Sequence, residues 1–62
     1  MYRIITVKNY RNLDIHKLQL KEKENWIFLT TVTDLNLKKF KDKGLNVNNS
    51  EDIAKYRKYN NL

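Results

Sequence analysis

His16 is the single histidine of the chain, and imidazole is the side chain best suited to moving a proton near neutral pH. General-base work needs a carboxylate, hydroxyl or thiol set beside the ring, and no acidic, serine or cysteine residue accompanies His16 in a recognisable pattern. A lone histidine on a strand reads instead as a surface or packing residue. Glu22 and Glu24 fall in the charged stretch Lys21-Glu22-Lys23-Glu24-Asn25, which reads as a solvated turn. Asp34, Glu51 and Asp52 fall at helix starts, where capping and the positive end of the helix dipole account for them. Paired-carboxylate catalysis therefore has no carriers. With no cysteine and one histidine, disulfides, thiolate sites and a zinc centre are excluded as well. The expectation is a protein that is not an enzyme, with no catalytic residue, cofactor, metal or small-molecule substrate.

What remains is charge and aromatic surface. The net charge is +6, and every phosphate that a basic protein neutralises releases counterions and adds salt-dependent affinity. The charge is spread along the chain: residues 1–32 carry six positive and three negative side chains, residues 33–62 seven and four. Lys38, Lys39, Lys41 and Lys43 still cluster, with Lys55, Arg57 and Lys58 close behind, and Tyr10, Tyr56 and Tyr59 are available to stack on bases. The plainer reading of these lysines is the solvated face of an amphipathic helix. Trp26 reads either as a core anchor or as a binding hot spot.

The elements that must position these groups are short. Tyr2-Arg3-Ile4-Ile5-Thr6-Val7 is rich in β-branched residues and has no helical period, so it reads as a strand. It ends in Lys8-Asn9-Tyr10-Arg11-Asn12, whose asparagines take turn conformations cheaply. From Leu13 to Lys21 the chain alternates with a slipped phase, Leu13 and Ile15 on one face and Leu18 and Leu20 on the other, which predicts a bulge near His16-Lys17. Trp26 to Val32 is the strongest strand: Trp26, Phe28, Thr30 and Val32 are expected on one face, Ile27, Leu29 and Thr31 on the other. Thr33 or Asp34 can cap a first helix carrying Leu37 and Phe40 on one side, and Gly44 falls where a left-handed C-terminal cap belongs. Leu45 and Val47 should pin the connection to the core. Asn49 or Ser50 caps a second helix, with Ile53, Tyr56 and Tyr59 on its apolar side. The prediction is one α+β domain: a three-stranded antiparallel sheet with strands over about 2–8, 13–21 and 25–32, then two short C-terminal helices over about 34–43 and 50–60.

A chain of 62 residues buries only about 60% of the surface its unfolded form exposes, so its stability should be a few kcal/mol. Two short helices can cover one face of such a sheet, yet the third strand offers apolar groups to both. A C-terminal tail or a strongly curled hairpin is one cover for the second face; a second copy of the chain or a larger host protein is another.

The run Ile4-Ile5-Thr6-Val7-Lys8-Asn9-Tyr10-Arg11-Asn12-Leu13, followed by Leu18-Gln19-Leu20 and Asn25-Trp26-Ile27-Phe28-Leu29-Thr30, resembles the N-terminal strands of RecF-type and SMC-like ABC ATPases. In that family the third strand leads into a phosphate-binding loop; here it leads into Thr31-Val32-Thr33-Asp34, without the glycines, lysine and following hydroxyl residue the loop requires. The resemblance thus implies a shortened relative, a gene remnant, or a mimic able to pair with a partner's sheet edge or occupy its assembly surface, and carries no nucleotide binding. The segment Leu37-Lys38-Lys39-Phe40-Lys41-Asp42-Lys43-Gly44-Leu45, then Ile53-Ala54-Lys55-Tyr56, resembles a SAP-type helix-turn-helix DNA-binding motif, with Glu51-Asp52 where that family begins its second helix with lysines.

The functional expectation is a non-catalytic binding protein that docks onto a larger host protein, or onto a second copy of itself, through an exposed sheet face or edge. Its candidate docking residues are Trp26 and Phe28 on the third strand, Tyr2 and Ile4 on the first, and Tyr10 in the turn. The alternative is nucleic-acid binding through Lys38, Lys39, Lys41, Lys43, Lys55, Arg57 and Lys58. No apolar run approaches the roughly 18 residues a membrane span needs, and Met1-Tyr2-Arg3-Ile4-Ile5 has no signal-peptide pattern, so a cytoplasmic setting without a membrane partner is expected. Lysines far outnumber arginines, and nine asparagines, one glycine and no proline fit coding in an AT-rich genome, that of a low-GC bacterium or its phage or mobile element.

Overall fold

The computed structural model describes residues 1–60. Three antiparallel strands, β1 (Tyr2–Lys8), β2 (Asp14–Glu22) and β3 (Asn25–Val32), form one sheet in the order β1-β2-β3 and are followed by α1 (Asp34–Asp42) and α2 (Ser50–Asn60). This is the α+β architecture expected from the alternating and helical patterns.

The turn chemistry is local. In the β1–β2 turn the Asn9 carboxamide oxygen accepts from the backbone N–H groups of Arg11 and Leu13, and Asn12 adopts φ 62°, a left-handed conformation asparagine tolerates well. A Lys8–Asp14 ion pair of 3.0 Å closes the ends. Between β2 and β3 the paired residues Glu22 and Asn25 leave a two-residue connection, Lys23-Glu24, with Lys23 at φ 54°.

The Thr33 hydroxyl caps α1 by accepting from Asn36 N–H, and the Asn36 side chain accepts in return from Thr33 N–H. At the other end Leu45 N–H donates to the Phe40 carbonyl and Gly44 N–H to that of Lys41, the paired bonds of a Schellman cap, with Gly44 at φ +71°. A methyl group at Gly44 would meet no atom within 4 Å, so only the backbone conformation restricts this position. Gly44→Ala is therefore expected to cost about 1 kcal/mol, read as a lower urea midpoint at unchanged m-value.

Asn49 caps α2, its side-chain oxygen accepting from Asp52 N–H, while Ser50 Oγ accepts from Tyr2 N–H at 2.7 Å and ties the helix to the start of β1. Both helices lie on one side of the sheet. Leu18, Val32, Phe40, Ile53 and Tyr56 are fully buried there, with Tyr2, Ile4, Leu29, Leu37, Leu45 and Val47 packed around them. The Phe40 and Tyr56 rings meet at 4.1 Å, and the Tyr56 hydroxyl accepts from Asn36 Nδ2. Tyr59, expected on the apolar side of α2, is 73% exposed. It follows Ile53 by six residues, which places it about 120° around the helix from that residue.

Candidate binding surface

The register decides which side chains share each face. β1 and β2 pair without interruption from Tyr2↔Leu20 to Lys8↔Asp14, so the bulge expected near His16-Lys17 is absent from β2. The irregularity lies in β3: Leu18 pairs with Thr30, but the next residue, Gln19, pairs with Phe28, leaving Leu29 as the extra residue. Strand positions alternate, so this single insertion reverses the phase of the N-terminal half of β3. Thr30 and Val32 point to the helices with Leu18. Trp26 and Phe28 point the other way, where the sequence pattern had put all four together.

The face away from the helices is built in four cross-strand rows: Val7 and Ile15; Ile5, Lys17 and Thr31; Arg3, Gln19 and Phe28; Lys21 and Trp26. Three of these ten residues are cations and none is an acid. Arg3 reaches diagonally across the sheet, its guanidinium carbon 3.8 Å from the centre of the Trp26 ring, and its Nε–H donates to Gln19 Oε1 at 2.7 Å. Lys21 Nζ stands 5.9 Å from the centre of the Trp26 ring, and Lys17 Nζ 5.9 Å from that of Phe28. Such contacts contribute about 0.5–1 kcal/mol each at exposed sites, enough to set the direction of long cationic side chains. Phe28 remains 53% exposed, a position that forgoes about half of the roughly 1.5–3 kcal/mol a buried phenylalanine contributes.

The residues expected to form one docking surface are divided by this register. Trp26 and Phe28 are neighbours on the open face. Tyr2 and Ile4 pair with Leu20 and Leu18 and lie under the helices, where the Tyr2 hydroxyl accepts from Arg57 at 2.9 Å. Tyr10, 89% exposed, sits in the β1–β2 turn beside Arg11. Of the helix cations, Lys38, Lys39, Lys41, Lys43, Lys55 and Lys58 are exposed and Arg57 is half-buried against Tyr2. Lys43 joins the two helices by standing 5.0 Å from the Tyr59 ring.

His16 gains partners that its sequence neighbourhood gave no sign of. Pairing with Thr6 sets the Thr6 hydroxyl 2.8 Å from Nδ1, and the first residue of α1 brings Asp34 Oδ1 to 3.1 Å from Nε2. Hydroxyl, imidazole and carboxylate are the residue types of a nucleophilic triad. Here, however, the Asp34 side chain is 95% exposed, and a carboxylate surrounded by water holds the ring with less than about 1 kcal/mol. The trio fastens α1 to the sheet, and His16 and Asp34 line an open hollow of about 250 Å³ together with Ile15, Thr31 and Val32 among others. Knowing the β1–β2 register would have exposed Thr6; no short-range signal announces Asp34.

Among the described residues no group of three His, Asp or Glu side chains could hold a metal ion, and no helix is long and apolar enough to cross a membrane. No family model, curated protein or solved structure matches the chain.

Proposed function

We propose that this is a binding protein without catalytic activity that acts in the cytoplasm, with the open sheet face as its working surface. The observation that carries the reading is the bulge at Leu29, which sets Trp26 and Phe28 on the uncovered side of the sheet among Arg3, Lys17 and Lys21. A small domain gains stability by burying its largest aromatics, and this one turns two of its aromatics outward. Two other docking modes fit less well. The same bulge disrupts the free edge of β3, a device that discourages strand addition there, and at the other edge the Tyr2 N–H at the start of β1 is already taken by Ser50 Oγ. A two-fold dimer through the open face would set the three cations of one copy against those of the other. A larger partner of complementary charge meets neither obstacle.

The reading is tested with a photoreactive phenylalanine analogue placed at Phe28 and, separately, at Leu35, which is exposed on α1. Irradiation in lysate should give a larger adduct from the Phe28 position and none from Leu35. Equal yields, or an adduct from Leu35 alone, would overturn the assignment of the surface.

A further inference from the structure

We infer that the ligand of the open face is single-stranded nucleic acid, its bases stacking on Phe28 and on the Arg3–Trp26 pair and its phosphates meeting Lys17 and Lys21. This rests on the binding reading above and names the partner for the same surface.

Charge complementarity makes the first selection. The face presents three cations and no acid, so an apolar protein patch would have to desolvate them without compensation, whereas a polyanion pairs with them. The aromatics make the second. Phe28 and Trp26 are two residues apart on one face of β3, so their side chains rise about 7 Å from one another, a spacing that successive bases of an extended strand can match. The Phe28 ring is half open to solvent. The Arg3 guanidinium carbon stands 3.8 Å from the centre of the Trp26 ring and Gln19 holds the group by a hydrogen bond, and arginine and tryptophan are both side chains on which bases stack. An acidic peptide offers the charge without the π-faces. A duplex offers its phosphates but keeps its bases stacked inside, out of reach of a flat sheet.

The experiment is fluorescence anisotropy of the full chain with a labelled thymidine homopolymer of about 12 nucleotides, a length within the range one small stacking surface occupies. The controls are a duplex of equal length and inorganic polyphosphate, an anion without bases. The single strand should bind at least tenfold more tightly than either, with a log–log salt slope of about −1.4 from the two phosphate contacts at Lys17 and Lys21. Phe28→Ala should weaken binding roughly tenfold. Because Phe28 lies outside the core, that variant should keep the wild-type circular dichroism spectrum, with a modestly lower urea midpoint. Lys39→Glu combined with Lys41→Glu, on the other side of the molecule, should weaken binding less than Phe28→Ala does.

Failure to bind at low ionic strength, polyphosphate binding as tight as the oligonucleotide, or an affinity untouched at Phe28 but lost on reversal of the helix lysines would each overturn the inference. The photo-cross-link separates the two levels of the proposal: a protease-sensitive, nuclease-resistant adduct at Phe28 would leave the surface standing and remove nucleic acid as its ligand.

Discussion

Phe40→Ala is expected to leave the chain unfolded at 25 °C. Phe40 is 1% exposed and its ring packs tilted against that of Tyr56, with the centroids 4.1 Å apart. Truncating a buried phenylalanine costs about 3–5 kcal/mol, and a core in a chain of this length supplies about that much in total. No disulfide is available to make up the loss. Far-ultraviolet circular dichroism of Phe40→Ala should lack a cooperative thermal transition, while Phe40→Leu, which keeps most of the volume, should retain one at lower temperature. A cooperative Phe40→Ala transition near that of the wild type would mean that the five buried side chains are not the element holding helices to sheet.

The second large effect falls on binding with the fold intact. Replacing Lys17 and Lys21 together by glutamate changes the open face from three cations to one cation and two carboxylates. Like charges set against each other across an interface cost several kcal/mol, so affinity for a polyanion should fall by about 100-fold or more. Stability should fall by no more than about 1–2 kcal/mol, the two cation–π contacts being lost while neither lysine is buried and Arg3 gains opposite charges nearby. Matched titrations at low salt, with urea midpoints measured in parallel, check both halves. An unchanged affinity would show that the cations of this face only keep the protein soluble.

Much of the fold is legible because its signals are local. The β-branched run Tyr2–Val7, the capping residue before α1 (Thr33 of the two candidates Thr33 and Asp34) and the glycine at 44 each act within a few residues, and the structure uses each of them. The faces of the sheet were less legible, because parity along a strand depends on pairing with its neighbour. In β2 the change from Leu13 and Ile15 to Leu18 and Leu20 reads as a slipped phase. The strand is in fact regular: Ile15 faces outward beside Val7, Leu18 and Leu20 face the helices, and Leu13 lies before the strand at 58% exposure. In β3 the apolar residues run without a break, which hides the extra residue at Leu29. Only the partner positions Leu18↔Thr30 and Gln19↔Phe28 reveal it. That one residue decides the candidate surface, for without it Trp26 and Phe28 would share the core side with Thr30 and Val32.

Long-range contacts explain the remaining differences. The Arg57–Tyr2 hydrogen bond spans 55 positions and the Tyr2–Ser50 bond 48, and both draw the first strand under α2. Tyr2 thereby leaves the set of docking residues to which its aromatic character had assigned it. Arg57 likewise turns inward, which leaves the helix lysines to supply a general positive field.

The most direct measurement is a nuclear magnetic resonance titration of isotope-labelled protein with the thymidine oligonucleotide. Saturable shifts should appear at the backbone amides of Lys17, Gln19, Lys21 and Phe28 and at the Trp26 indole N–H, with the amides of Lys38–Lys43 and Lys55–Lys58 nearly still. Shifts confined to the helices, with the Trp26 and Phe28 signals unmoved at saturation, would contradict the assignment of the open sheet face as the surface that works.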